Sequence, residues 1–385
     1  MNWKKVSAVV LSAGMALSLA ACGGSASSSS GSSSSSGASS GSAATASVSS
    51  GSEAVGSSSV SSSSAASQEG ETTLPIDEYT EDPSNGKEMN IGVILKTQSS
   101  EFGQYLQAGC ERYEKDHPNI HLDITGPTSE TSYDEQINMI TTDLSSGKYD
   151  ALCLIPLQSD SAAKLIEDAT IPVVAFDTKI NSDKVATFVG VGNEVAAEGG
   201  AKKAVEMAKA NGWKDIKCIE IAGVQGDENN TARMNGYKKG IEESGGDFLE
   251  DEVQYADAVA DKAVNSMEAI MSNHPEGVAI VCANNDDMAM AAYKTAKGNE
   301  AYKNTIFLGF DGIQAPSEGL VSGDLTNYIS VATKPYDMGY YAIDKAIRAA
   351  NGEKLASFYD TGFEVLTKEN ASERLDTLKG YLGQQ

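Results

Sequence analysis

From Met89 onward, short apolar runs alternate with amphipathic stretches at intervals that suit repeated strand–helix units. The runs Met89–Leu95, His121–Thr125, Ala151–Ile155, Val173–Phe176 and Thr187–Val191 predict five strands. Helices are expected from Phe102 to about Asp116, over Ser132–Leu144 and from Ser161, which together make one doubly wound layer. The pattern then restarts: helix Glu194–Ala210, strand Lys217–Ala222, helix Thr231–Glu242, strand Val253–Ala256, helix Val259–Met271. A further apolar run, Val278–Cys282, stops at the polar corner Asn284-Asn285-Asp286-Asp287 and gives way to a helical pattern with Met288, Ala291, Ala292 and Ala296. The run Ile306–Phe310 stops at Asp311, with Gly312 freeing the backbone to turn. These elements predict a second layer of the same type. After Gly323 the regularity changes to a strand Asn327–Val331, a long helix Pro335–Ala350, an extended segment Phe358–Leu366 and a helix near Glu369–Leu378. A tail of that kind can cross back to the first layer, so the domain boundaries are expected to be discontinuous.

The first part of the 385-residue chain has a different character. Lys4 and Lys5 precede an apolar segment from Val6 to Ala21, shorter than the ~20 residues that span a bilayer. It ends in Leu19-Ala20-Ala21-Cys22-Gly23, which resembles the lipobox of bacterial lipoproteins, in which the cysteine is lipidated and becomes the mature N-terminus. Residues 1–21 are thus expected to be a signal peptide. Ser25 to about Ser67 is almost all Ser, Gly and Ala, too poor in apolar groups to repay the entropy of ordering. Residues 22–88 are expected to form a disordered tether with a reach of roughly 45 Å, and the folded part to start near Met89.

The formal net charge of -25 argues against nucleic acid, because phosphate contacts require cations where this surface is mostly anionic. It argues equally against an electrostatic hold on anionic lipid. Beyond Cys22 the cysteines are Cys110, Cys153, Cys218 and Cys282, without metal-ligand spacing. Buried free thiols are expected, although an exported location would permit a bridge. No metal site or cofactor is implied. The three histidines are His117, His121 and His274, and two of them precede proline in a pattern of helix termination.

Catalysis finds little to work with. From Met89 onward there is no Gly-x-Ser-x-Gly elbow, no phosphate loop and no His-Glu-x-x-His pair. The adjacent acids Asp286 and Asp287 suit a helix start, where carboxylates complement the dipole. Binding fits better. In an open parallel sheet, ligands collect outside the carboxyl ends of the strands. Asp177, Arg233, Asn235, Asn285 and Asp311 fall near that edge and are of the kind that grip hydroxyls, with Phe102 as a flat apolar face. Each also has a bland reading: Asn285 and Asp286 as helix caps, Phe102 as core, Asp177 and Asp311 as turn acids, Arg233 in a surface ion pair. Five such residues at one edge favour a neutral polyhydroxylated ligand and a protein that is not an enzyme.

From Asn90 to about Lys368 the chain resembles the ribose- and galactose-type periplasmic binding proteins, the sugar-binding components of ABC importers. The resemblance rests on Ile171-Pro172-Val173-Val174-Ala175-Phe176-Asp177, Ala232-Arg233-Met234-Asn235-Gly236, Ala283-Asn284-Asn285-Asp286-Asp287-Met288-Ala289 and Gly309-Phe310-Asp311-Gly312, in the family's order and spacing. It implies an α/β clam-shell of two similar doubly wound, Rossmann-like lobes joined by a three-crossing hinge. The crossings would lie near Val191-Gly192, Thr333-Lys334 and Thr361-Gly362. Residues 89–191 plus 334–361 would then form one lobe, and 192–333 plus 362–385 the other. Phe102 stands where the family stacks an aromatic on the sugar, Asp177 and Asp311 where it places hydroxyl-binding acids, Arg233 in the binding-arginine segment and Asn285 on the amide. Departures from the family pattern are Thr178 after the first acid, Asn235 for a second arginine, Ala258 for an aromatic, and Thr333 for the last hinge amide. They point away from ribose, toward another sugar, a polyol or a small sugar-derived signal. The implied partners are that small molecule, an ABC permease with its ATPase, and the membrane through lipid on Cys22, with the protein acting as a monomer on the extracytoplasmic face. A ligand-sensing module that presents its closed form to a receptor kinase or chemoreceptor would use the same cleft.

Overall fold

The computed structural model describes residues 73–75 and 82–384. The signal segment, Cys22 and the Ser/Gly-rich stretch lie outside the described residues. In chain order the elements begin with β1 (Thr73–Pro75), β2 (Met89–Ile94), α1 (Glu101–Asp116), β3 (Ile120–Thr125), α2 (Tyr133–Ser145), β4 (Ala151–Leu154), α3 (Ser159–Leu165), β5 (Val173–Phe176) and β6 (Val185–Gly190). They continue with α4 (Asn193–Ala210), β7 (Lys217–Ala222), α5 (Glu228–Glu243), β8 (Asp247–Phe248), β9 (Gln254–Tyr255), α6 (Ala260–Asn273), β10 (Ile280–Ala283), α7 (Asp286–Ala296), β11 (Ile306–Asp311), α8 (Gln314–Ser322) and β12 (Tyr328–Ala332). The chain closes with α9 (Pro335–Ala350), β13 (Phe358–Asp360), β14 (Glu364–Leu366) and α10 (Ala371–Tyr381).

The strands sort into two sheets. One runs β1-β13-β6-β5-β4-β2-β3 and is parallel throughout. The other runs β14-β12-β11-β10-β7-β8, with β9 also paired to β7; every pairing is parallel except β12 with β14. Strands β4, β5, β10 and β11 are buried along their whole length. That is why they read in the sequence as unbroken apolar runs rather than alternations: helices cover both faces of a parallel sheet. The chain passes from the first sheet to the second between β6 and α4, returns between β12 and α9, and passes over again between β13 and β14.

The folded part begins earlier than Met89. Strand β1 adds to the edge of the first sheet within the stretch expected to be tether, and Ser84 is buried, accepting a hydrogen bond from Asn119 Nδ2 at 2.6 Å. The sequence there, Thr72-Thr73-Leu74-Pro75-Ile76, has already left the Ser/Gly composition. The extended segment expected over 358–366 is two strands, one in each sheet, separated by Gly362 with φ 73°. Helix α8 was not apparent in the sequence, because it carries Pro316 and Gly319; a proline in the first turn is tolerated since that N–H has no intrahelical partner. Cys110, Cys153, Cys218 and Cys282 are buried free thiols.

Candidate functional site

The carboxyl ends of the two sheets look onto one cavity lined from both lobes. The first lobe supplies Lys96 beyond β2, Phe102 in the first turn of α1, Glu130 ahead of α2 and Asp177 beyond β5. From the second come Asp227, Asn229 and Arg233 around the start of α5, Asn284 and Asn285 before α7, and Asp311 at the end of β11. Phe102 is half-buried and packs partly against the core, leaving part of its ring to the cavity.

Arg233 is the best-anchored group. Its Nε donates to Asn193 Oδ1 at 2.9 Å and Nη1 to the Asn284 carbonyl at 2.7 Å, while the guanidinium lies 3.7 Å over the Phe310 ring. Nη1 is 3.6 Å from Asp311 Oδ1, an ion-pair distance that leaves the carboxylate free to accept from a guest. Burial pushes the Asp311 carboxyl well above the ordinary carboxylate range, with Arg233 pulling the other way. Asp177 accepts from Thr178 Oγ1 at 2.9 Å and from Asn229 Nδ2 at 3.3 Å. Lys96 Nζ donates to Asp227 Oδ2 across the cleft at 2.5 Å. Burial alone would lower the Lys96 pKa, but Asp227, Glu130 and Asp177 outweigh it and hold the ammonium above its ordinary value. Glu130 is raised, chiefly by burial and against the pull of Lys96.

Backbone strain gathers at the same place. Among the described residues, five non-glycine residues have positive φ, and four lie on or beside the cavity: Asp177 at 57°, Asp257 at 50°, Ala258 at 59° and Asp311 at 106°. Left-handed conformations of this kind cost about 1–3 kcal/mol each and persist where the surroundings over-determine them, as at binding sites.

Phe102, Asp177, Arg233, Asn285 and Asp311 are therefore brought together. Asn285 Oδ1 caps α7 by accepting from Met288 N at 2.9 Å, and the residue also lines the cavity. Asn235 and Thr333 do not line the cavity. Two positions past Arg233 on a helix is a rotation of roughly 200°, so Asn235 points away and is exposed. Thr333 is buried in a lobe crossing, its N–H donating to the Asp311 carbonyl at 3.1 Å. Lys96, Glu130, Asp227, Asn229 and Asn284 line the cavity as well, beyond the residues the sequence pattern points to. Lys96 carried a usable signal, a charge just beyond an apolar strand. Asp227 and Asn229 did not, because α5 begins earlier than its apolar pattern and is capped by Asp227 accepting from Asn230 N at 2.8 Å.

Residues 91–354 match the family described as periplasmic binding protein domain. A xylitol-binding protein of Mycolicibacterium smegmatis is 28% identical over 248 residues, which is 63% of this chain and 67% of that protein. A carbohydrate transporter solute-binding protein from Agrobacterium radiobacter, solved with D-arabinose, superposes with a TM-score of 0.69 at 24% identity, covering 76% of this chain and 98% of the other. An ABC transporter solute-binding protein from Agrobacterium vitis with bound D-fucose gives 0.65 at 26% identity, covering 73% and 96%.

Proposed function

Because this chain belongs to the periplasmic binding protein family, a family of non-enzymatic binding proteins, we propose that it captures a sugar or sugar-like polyol between its lobes and delivers it to an ABC importer. The observation that carries this reading is the cavity, with Phe102 and Asp177 from one lobe facing Arg233, Asn285 and Asp311 from the other. Carboxylates accept from hydroxyls, the guanidinium donates, and the ring offers an apolar face to C–H groups. The D-arabinose and D-fucose held by the Agrobacterium proteins, and the xylitol named for the mycobacterial relative, are ligands of this chemistry.

A hydrogen bond to a charged group contributes about 1.5–3 kcal/mol, whereas micromolar binding needs about 8 kcal/mol net of association costs. Two or three contacts from one lobe fall short of that. Full affinity requires both lobes, so the ligand stabilises the closed form by its differential contacts, and that form is the one a permease would read. Attachment through lipid on Cys22, with the Ser/Gly-rich stretch as a leash, would keep the lobes near that permease on the extracytoplasmic face.

A thermal-shift screen of pentoses, hexoses, polyols and inositols finds the ligand, since binding raises stability by mass action. Asp311→Ala is then expected to weaken it tenfold or more, about 1.4 kcal/mol, at an unchanged melting temperature. Full affinity in that variant would reject the site. For the anchor, Cys22→Ala is expected to abolish incorporation of labelled fatty acid in a bacterial host; labelling that persists would place the lipid elsewhere.

A further inference from the structure

We propose that Arg374, on the C-terminal helix α10, is a positioning residue for ligand capture, holding the Asp311–Gly312 loop so that the Asp311 carboxylate faces the cavity. Arg374 is 5% exposed. Its Nε donates to the Gly312 carbonyl at 2.8 Å, and its Nη2 donates to the carbonyls of Asp311 at 3.2 Å and Thr333 at 2.8 Å. One guanidinium thus ties the loop that bears the site acid to the crossing between lobes.

The loop needs such a hold. Asp311 and Gly312 are consecutive residues with positive φ, 106° and 68°, a conformation that a non-glycine residue keeps only under external constraint. Its N–H side is gripped by Asp286 Oδ2, which accepts from Gly312 N at 2.7 Å and Ile313 N at 3.1 Å. On its carbonyl side, Arg374 supplies the side-chain donors. Three carbonyls in a fixed fan match the planar fork of arginine; a lysine ammonium on a flexible stem does not reproduce them. The helix carrying Arg374 is itself fixed against both lobes. Leu378 packs with Tyr105 and Ile313, and Tyr381 stacks on Tyr336 with ring centroids 4.3 Å apart and planes 6° from parallel.

The effect on affinity rests on the sugar-binding reading, but the effect on the loop does not, and the experiment separates them. Arg374→Ala, Arg374→Lys and the packing control Leu375→Ala are compared in the full chain. Amide exchange at Gly312 and Ile313, measured without ligand, is expected to quicken at least tenfold in both Arg374 variants and to stay within twofold of the parent in the control. The affinity for whichever carbohydrate the screen identifies is expected to fall at least tenfold in both, with melting temperatures no lower than the control's. Exchange unchanged in the Arg374 variants, quickened equally in the control, or restored fully by lysine would overturn the proposal. Should the alanine variant fail to fold, the lysine variant decides alone. Failure of every carbohydrate to bind would sink the sugar reading, and the exchange measurement would still judge the role of Arg374.

Discussion

Glu220 stands on β7 at 0% exposure, and among the described residues neither carboxyl oxygen has a hydrogen-bond partner. Burial pushes its pKa up to about 8. Below about pH 4 the folded and unfolded states both hold the proton. As pH rises from there to 8 the unfolded chain ionises first, so this group lowers stability across that window and no further above it. Asp286 acts in the same direction up to about pH 7, its burial being offset in part by Ser330, Tyr328 and the loop N–H groups. Glu220→Met is therefore expected to stabilise the fold by about 1–3 kcal/mol at pH 5. Its margin should widen toward pH 8 by up to about 1.4 kcal/mol per pH unit, read from denaturant midpoints at several pH values. A margin independent of pH would mean that the carboxyl ionises freely in the fold. Nothing in the sequence marked Glu220, since an acid between Ile219 and Ile221 looks like the exposed face of a strand. Helices on both faces remove that face. Asp177, Asn285 and Asp311 were legible for the opposite reason: each ends an apolar run, and topology fixes where such ends point. Asn235 shows where motif reading and helix geometry part. Asn235→Ala is expected to leave sugar affinity within twofold by calorimetry, whereas an alanine at Arg233 removes one of the two anchored cations of the cavity, the other being Lys96.

Helices cross most closely where glycines meet backbone. A Cβ on Gly109 in α1 would lie 2.0 Å from the Tyr336 carbonyl oxygen, and one on Gly339 in α9 2.1 Å from that of Leu106. The two helices thus touch through reciprocal glycines, which explains how α9, far along the chain, seats beside α1 in the first lobe. Gly109→Ala is expected to cost about 1–3 kcal/mol despite alanine's better helix propensity, because neither backbone can retreat. An equal or higher melting temperature would show that the contact yields. At this scale the sequence read well where elements are long or wholly apolar: β5 and β7 and α9 fall on their expected residues. It failed where tertiary pairing creates the element, as with the two-residue β8 and the edge strand β1, and where proline and glycine mask a helix, as in α8. Short strands exist only through their partners, which local pattern does not name.

The doubling of the α/β pattern announced two lobes, and the broken rhythm after Gly323 announced the return, but the contacts that hold the lobes together joined residues too distant for any spacing rule. Lys96 with Asp227 spans 131 positions, and Asn229 with Asp177 spans 52. Each joins one lobe to the other. A further one lies outside the cavity: Glu101 Oε1, at the start of α1, accepts from Gln314 N at 2.6 Å, at the first residue of α8. Ile313 provides no side-chain cap there, so a carboxylate from the opposite lobe satisfies an N–H that the helix leaves open and complements its dipole. Opening the lobes replaces that bond with water on both sides. As a hydrogen bond to a carboxylate, its net worth to closure is about 1.5 kcal/mol, and because Glu101 does not line the cavity, its loss acts on closure rather than on the ligand. Glu101→Ala is thus expected to weaken sugar binding about tenfold. Glu101→Gln, which keeps the acceptor oxygen, is expected to weaken it less. Small-angle scattering should show both variants compacting fully at saturating ligand, with the alanine variant more open than the parent at partial saturation. Unchanged affinity in Glu101→Ala would mean that closure draws only on the cavity contacts.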